Sequence, residues 1–280
     1  GKNVIKVLTG QRRVGKSCLL RQLCEHIRQE HPSADILYVN KELSAFAHIR
    51  TSDDLLAEVA KAFSLASGED GRYLFVDEVQ DIEGFEHALR SLLAEEACDI
   101  YITGSNATML SGELATYLSG RYVEFHIHSL TFSEFLEFHK LSPDNTSLRH
   151  YLTFGGLPYL SNLPLDTDIC FEYLRNVYST ILLKDIVKRE GIRNVSFLES
   201  LVDYVADNVG NLFSANNISR YLKSQRVNIS PLQVINYLKA LGDAFLVNRV
   251  SRIDIVGLRN QLSKSPTECL PYQQSEKNRC

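Results

Sequence analysis

Residues 10–17 read Gly10-Gln11-Arg12-Arg13-Val14-Gly15-Lys16-Ser17, and they lie between an apolar run at residues 4–9 and a helical pattern at residues 16–30. Strand, glycine-rich loop and helix form the context in which G-x-x-x-x-G-K-[ST] is a P-loop rather than a chance match. The glycines let backbone N–H groups surround phosphate oxygens, and the start of the helix adds a favourable dipole. The stretch therefore predicts a binding loop for a nucleotide and Mg²⁺.

Within this loop the residue types predict separate roles. Lys16 is expected to reach the β- and γ-phosphates, and the hydroxyl of Ser17 is expected to bind Mg²⁺. The residues predicted to contact the nucleotide are Gly10, Gln11, Arg12, Arg13, Val14, Gly15, Lys16, Ser17 and Cys18.

Two carboxylates follow the apolar strand at residues 73–76. Asp77, at the strand end, is expected to complete the Mg²⁺ site, and Glu78 is expected to orient and activate the attacking water. An ordinary acidic turn between strand and helix is the alternative, which the upstream P-loop disfavours. The second carboxylate favours water as the acceptor, and hence ATP hydrolysis rather than the phosphorylation of a small molecule.

Three further side chains are candidates for the γ-phosphate. Ser105 and Asn106 follow the end of the next strand, where a polar group would lie between the carboxylates and the γ-phosphate, although either could instead cap the following helix. Arg121 precedes a fifth strand, and its guanidinium could reach a γ-phosphate in the same or in a neighbouring subunit. An arginine on the surface before a strand is the ordinary alternative.

Alternating strands and helices predict a parallel five-stranded sheet with helices on both faces. We expect an ATPase core at residues 1–140, a helical lid or linker at 141–208, a winged helix-turn-helix at 209–256 and a poorly ordered tail at 257–280. The predicted strands are residues 4–9, 36–40, 73–76, 99–103 and 122–127; the predicted helices are 16–30, one capped by Ser52, 85–94, 107–118, 131–139, 148–154, 169–188 and 195–207.

The third segment has the order helix, turn, helix, strand. Ser214 is predicted to cap the first helix, and the second runs from Ser230 to Gly242 with Pro231 at its first position. The predicted buried stripe of the second helix is Val234, Ile235, Leu238 and Leu241.

A recognition helix from Ser230 to Gly242 would bring DNA into consideration as a partner. Lys239 is the one cation in it that could reach a base, while nearby arginines and a lysine could contact phosphates. Because specific DNA interfaces are usually much more positive, a packing and relay module is the preferred interpretation.

Bulk composition narrows the class of protein. The 280 residues carry a formal net charge of −4 and six cysteines without metal-binding or disulfide-scaffold spacing. No apolar run would span a bilayer. We expect a cytoplasmic protein with reduced thiols, an unidentified protein client and the capacity to form a homo-oligomer.

The phrases GQRRVGKS, LFVDEVQ, ITGSNA, LSGRYVEFHIHSLTFSEF and FGGLPYL occur in this order. Together they resemble the prokaryotic AAA+ ATPases related to the STAND NTPases. The resemblance implies ATP and Mg²⁺ as ligands, a sensor at Ser105 or Asn106, and Arg121 as a γ-phosphate arginine. It also implies that the turn ending in Pro158 lies against the adenine. Members usually have a segment before the first strand and a further domain after the winged helix, so we expect this chain to be shortened.

Overall fold

The computed structural model describes residues 3–64, 69–107, 118, 120–189, 191–192, 194–251 and 267–271. The chain divides into two compact units, Gly1–His128 and Ser129–Cys280. The division lies earlier than the boundary near residue 140 that the sequence predicted.

The first unit is built on a parallel sheet of five strands, as predicted. Its order is β2-β3-β4-β1-β5, so β1 lies between β4 and β5, and β3 lies beside β4. All carboxyl ends of parallel strands meet at one edge, and the sheet therefore brings together the segments that follow β1, β3 and β4. The strands are β1 Ile5–Thr9, β2 Asp35–Asn40, β3 Arg72–Asp77, β4 Asp99–Gly104 and β5 Tyr122–His126.

Helices cover both faces of this sheet. Residues that alternate along the strands enter two separate buried clusters: Leu8 and Phe75 pack with helix α1, while Val7 and Val76 pack with α2 and α3. The helices are α1 Lys16–Glu30, α2 Ser52–Phe63 and α3 Phe85–Ala94.

One predicted helix cap is wrong by a residue. Thr51, rather than Ser52, caps α2, and its hydroxyl accepts the backbone N–H of Asp54. The carboxylate of Asp54 in turn accepts the N–H of Thr51, which completes a capping box. The helix predicted at residues 107–118 lies almost entirely outside the described residues.

The second unit begins with helices. Its sequence pattern predicted one continuous helix at residues 169–188, but the helix is regular only to Thr180 and continues as a π-helical segment, Ile181–Lys188. The hydroxyl of Thr180 donates to the carbonyl of Asn176, a contact that perturbs the regular helical ladder. The helices of this part are α4 Phe132–His139, α5 Asn145–Phe154, α6 Thr167–Thr180 and α7 Val195–Asp207.

After α7 the chain forms a small antiparallel sheet of order β6-β8-β7 with two further helices. The caps predicted at Ser214 and Ser230 are both confirmed, and each accepts the N–H three residues later. The elements are β6 Leu212–Phe213, α8 Ala215–Ser224, α9 Pro231–Asp243, β7 Val247–Ser251 and β8 Thr267–Pro271.

Two expectations for this region differ from the structure. Ile235 was predicted in the buried stripe of α9, yet its side chain is 52 % exposed, while Val234 and Leu241 are buried. The poorly ordered tail predicted at residues 257–280 contains β8, and the rest of that tail lies outside the described residues. Within the described part of the chain, no helix combines the length and apolar character needed to cross a bilayer.

Candidate active site

The loop after β1 begins at a position that only glycine can occupy. Gly10 has a φ of 141°, and a Cβ atom there would lie 2.2 Å from the carbonyl oxygen of Ile127. The N–H of Ile127 donates to the carbonyl of Thr9 over 2.8 Å. The end of β5 therefore holds the start of the loop tightly against the sheet.

The loop then leads into α1 through Gly15, whose φ is 101°. Gly15 has no side chain to cap the helix, and the first turn of α1 contains no acidic residue. The start of α1 is therefore suited to an anion. The ammonium of Lys16 is buried and donates to the carbonyls of Gly10 and Gln11 over 2.8 and 2.9 Å.

The other predicted loop residues have different environments. Val14 is 3 % exposed and packs inward, so only its backbone is available to a ligand. Arg12 forms an ion pair with Glu42 at 3.9 Å, whereas Arg13 is exposed in a left-handed conformation. Cys18 is an exposed free thiol on the first turn of α1.

Ser17 and Asp77 meet across the edge of the sheet. The hydroxyl of Ser17 donates to Oδ1 of Asp77 over 2.9 Å, and Asp77 is 1 % exposed. The same Oδ1 accepts the hydroxyl of Thr103 over 2.6 Å. A hydroxyl and a carboxylate are hard oxygen donors of the kind that Mg²⁺ prefers, so the residues present fit the ion that the sequence implied.

Asp77 also affects a neighbouring tyrosine. Burial and then the negative charge of Asp77 raise the pKa of Tyr38, whose ring stacks on Phe75 with centroids 6.1 Å apart. Tyr38 therefore remains a neutral phenol beside the carboxylate.

Glu78 adopts an unusual backbone conformation. It lies at φ 58° and ψ 55° in the left-handed region, and it is 7 % exposed. Its N–H donates to the Thr103 hydroxyl over 2.9 Å. Its Oε2 accepts hydrogen bonds from the hydroxyl of Ser105, over 3.1 Å, and from the side-chain amide of Gln80. A strained residue held by so many contacts is typical of a functional site.

The structure thus brings Ser105 to Glu78. Asn106 is adjacent in sequence and is 4 % exposed. Thr103 and Gln80 were both missed by the sequence analysis. Thr103 is the next-to-last residue of β4, which pairs with the strand that ends at Asp77. A polar residue near the end of an apolar strand is visible in the sequence, whereas the pairing of these two strands is not. Gln80 has no comparable signal, because a glutamine in an acidic turn is ordinary.

At the other side of the loop, Thr9 joins β1 to β5. Its hydroxyl donates to Glu124 over 2.5 Å and lies 3.1 Å from Nδ1 of His126. Burial lowers the pKa of His126, and the neighbouring His128 and Lys16 lower it further, while Glu124 raises it. The rings of His126 and His128 are 4.5 Å apart.

Arg121 lies at the amino-terminal end of the parallel strands, opposite the end that carries the P-loop. It precedes Tyr122, which pairs with Ile5 at the amino end of β1, whereas the P-loop follows Thr9. Five strand residues separate these edges by about 16 Å, which exceeds the length of an arginine side chain. This distance excludes a contact between Arg121 and a γ-phosphate bound at the P-loop of the same subunit. Of the two alternatives that the sequence left open, only the neighbouring subunit remains.

The turn before Pro158 belongs to the second unit. A Cβ on Gly156 would lie 2.2 Å from the carbonyl oxygen of Leu130, and the N–H of Leu130 donates to the carbonyl of Gly156 over 2.8 Å. Gly156 is therefore required by close backbone packing. Pro158 starts a short 3₁₀ helix, Pro158–Asn162.

Comparison with protein families and curated proteins gives matches in both units. Residues 145–267 match a domain of unknown function. An uncharacterized protein of Haemophilus influenzae is 37 % identical over 260 residues, and one of Methanocaldococcus jannaschii is 31 % identical over 257 residues. These matches cover 90 % and 88 % of this chain but 64 % and 56 % of the two relatives, so the chain spans about three fifths of their length.

Among solved structures, the chain is similar to the ORC1 protein of Aeropyrum pernix in complex with DNA, with a TM-score of 0.41 and 13 % identity over 96 % of this chain and 84 % of that one. It is also similar to AMPPCP-bound DnaA of Aquifex aeolicus, with a TM-score of 0.36 and 13 % identity over 85 % of this chain and 81 % of that one.

The match that covers the candidate site is to a family model described as an AAA domain, at residues 2–136. This segment contains the whole five-stranded sheet, the loop that follows β1 and the carboxylates that follow β3. Residues 2–136 are therefore similar in sequence to an AAA domain.

Proposed function

We propose that this chain is a Mg²⁺-dependent ATPase that uses hydrolysis as a conformational switch or motor. The observation that carries the proposal is the contact of Ser17 with Asp77 at 2.9 Å, with Glu78 buried beside it. One hydroxyl and two carboxylates, from two separate segments, converge next to a loop that suits phosphate. This is the set of groups that hydrolysis of a β–γ phosphoanhydride requires.

In this mechanism Lys16 and the first N–H groups of α1 bind the phosphates. Ser17 and Asp77 would hold Mg²⁺, which would offset negative charge on the phosphates. Glu78 accepts a proton from water as the water oxygen bonds to the γ-phosphorus and the bond to the bridging oxygen breaks, which yields ADP and phosphate. Ser105 orients Glu78, and we assign the γ-phosphate sensor to Ser105 or Asn106.

Arg121 enters this scheme from a second copy of the chain. Its position at the far edge of the sheet supports a homo-oligomer in which it approaches the γ-phosphate of a neighbour. We also propose a relationship to the STAND NTPases, which implies that Pro158 contacts the adenine base. An unidentified protein is the proposed client of the switch or motor.

The decisive experiment compares phosphate release from ATP by the wild type and by Glu78→Gln, with nucleotide binding measured for both. We expect equal binding and at least a 100-fold slower turnover in the variant, because proton transfer to a positioned base typically contributes that much. Turnover by both proteins at one rate would refute the assignment of Glu78. Binding by both with turnover by neither would favour a nucleotide-gated switch.

That second candidate, a DNA-binding regulator gated by nucleotide, has one specific observation in its favour. The order α7, β6, α8, α9, β7, β8 with an antiparallel sheet is the order of a winged helix-turn-helix. The exposed side of α9, however, includes Leu232 and Ile235, which are 66 % and 52 % exposed, beside Lys239. Such a surface favours contact with protein over DNA.

Titration with duplex DNA at several salt concentrations tests this candidate. Affinity that falls steeply as salt rises would indicate phosphate contacts and would support the regulator. Weak binding without salt dependence would favour the role of α9 in packing or relay.

A further inference from the structure

The side chain of Gln80 contacts the proposed base but has no part in the mechanism above. Gln80 is half-buried in the short 3₁₀ turn Val79–Asp81, which starts directly after the left-handed residue Glu78. Its Nε2 donates to Oε2 of Glu78, the same oxygen that accepts the Ser105 hydroxyl. The backbone conformation of Glu78 is what turns the chain back so that residues 78 and 80 can meet.

Both hydrogen bonds fall on one oxygen of the carboxylate. Oε2 of Glu78 accepts two donors, whereas Oε1 accepts none from the described residues. Two donors on Oε2 fix the rotation of the carboxylate and reduce the basicity of that oxygen. Oε1 is then the oxygen that is left to accept a proton.

The orientation of the Gln80 amide follows from the same contact. An ionised carboxylate only accepts hydrogen bonds, so the NH₂ end of the amide must face Glu78 and the carbonyl end must face away. That carbonyl oxygen is buried and has no hydrogen-bond partner in the described part of the chain. An unsatisfied buried acceptor costs free energy, so the polar amide weakens the fold where it stands.

We propose that Gln80 is a positioning residue for hydrolysis, which acts by holding Oε2 of Glu78 together with Ser105 so that Oε1 faces the attacking water. This inference rests on the proposed ATPase function and adds a second residue to the control of its base. Its distinguishing consequence is that removal of the Gln80 amide slows catalysis but does not lower folding stability.

The test uses Gln80→Met, which preserves the approximate length of the side chain and removes both polar ends. Gln22→Met, at an exposed position of α1, is the matched control. We expect Gln80→Met to lower kcat about 10-fold with an unchanged KM, unchanged nucleotide affinity, and a thermal midpoint equal to or above that of the wild type. A parallel loss of stability and activity would overturn the inference, because it would indicate a purely structural role.

A second variant, Gln80→Glu, gives a test by pH. The introduced carboxyl can donate to Oε2 only when the pair of carboxyls shares a proton, so we expect the relative rate of this variant to rise as pH falls. A pH profile parallel to that of the wild type would contradict the proposal. If the wild type turns over and Gln80→Met matches it, the inference fails alone; if the wild type binds ATP without turnover, the proposed ATPase function fails with it.

Discussion

The hydroxyl of Thr103 lies 2.6 Å from Oδ1 of Asp77, and it donates a hydrogen bond to that carboxylate. The same hydroxyl accepts the backbone N–H of Glu78 over 2.9 Å. The parallel register of β3 and β4, in which Val76 is opposite Ile102, places Thr103 near the end of β4, beside both carboxylates. A single hydroxyl on β4 therefore fixes one group of the proposed Mg²⁺ site and the backbone of the proposed base.

Replacement of Thr103 by valine, which has nearly the same shape, should disturb both groups at once. We expect kcat to fall about 10- to 100-fold, because small displacements of catalytic groups have effects of this size. The fold should lose about 1–3 kcal/mol, since the buried N–H of Glu78 loses its acceptor. Steady-state kinetics at several Mg²⁺ concentrations and urea unfolding measure these effects. Thr103→Ser keeps the hydroxyl and should retain most activity; equal losses in the two variants would disprove the role of the hydroxyl.

Gly10→Ala tests the close approach of the loop to β5. The new methyl group would overlap the carbonyl oxygen of Ile127, and the φ of 141° is unfavourable for alanine. We expect a loss of roughly 2–5 kcal/mol in the free energy of unfolding and a loss of nucleotide binding. Thermal unfolding and titration with a fluorescent ATP analogue measure the two effects.

Gly120→Ala is the control for that variant. Gly120 also has a positive φ, 76°, but a Cβ there would meet no described atom within 4 Å. This variant should lose about 1 kcal/mol through backbone strain and should bind nucleotide normally. If the two variants behave alike, the contact with Ile127 has no special importance.

The position of Arg121 predicts complementation between two inactive variants. Arg121→Ala and Lys16→Ala should each hydrolyse ATP at least 100-fold more slowly than the wild type, and only Arg121→Ala should bind nucleotide normally. Mixing them should restore part of the turnover, because a mixed assembly contains a site with an intact Lys16 and a neighbour with an intact Arg121. Phosphate release measured against mixing ratio is the readout. No recovery from an assembly shown to exchange subunits would exclude this role of Arg121.

His126 predicts how stability changes with pH. Burial lowers its pKa below the ordinary 6.5. Just below pH 6.5, His126 is therefore neutral in the folded chain, whereas it binds a proton in the unfolded chain. The contribution of His126 to stability is therefore present above pH 6.5 and is lost as the pH falls below it. Urea unfolding at pH 7.5 and 5.5 should show a smaller decrease for His126→Gln than for the wild type. The exposed His26 provides the control, and His26→Gln should behave as the wild type does.

Much of the first unit was predictable because its signals are local. Strand, P-loop and helix are contiguous in sequence, and the run of apolar residues that ends at Asp77 identifies a buried strand with a polar end. A parallel sheet then requires the segments after β1, β3 and β4 to meet, so Ser17, Asp77 and Ser105 could be assigned to one site from the sequence. The contact of Ser105 with Glu78 agrees with the prediction that a polar residue there lies near the carboxylates.

What could not be predicted depends on register and on backbone conformation. The contact of Thr103 with Asp77 follows from the pairing of β3 with β4, which the order of elements in sequence does not determine. The contact of Gln80 with Glu78 requires a left-handed glutamate, and glutamate rarely adopts that conformation. The exposure of Ile235 was missed because helical spacing gives an apolar stripe without saying how wide a partner covers it.

The left-handed backbone at Glu78 implies a conflict between turnover and robustness in this domain. A residue without a Cβ, or an asparagine, occupies this conformation at lower energy, so evolution toward higher stability would remove the glutamate unless activity were under selection. A mutation of Glu78 that abolishes catalysis would accordingly be one that the fold tolerates, or even favours. Inactive relatives of this chain could then arise by one substitution at this position while they kept the loop at residues 10–17.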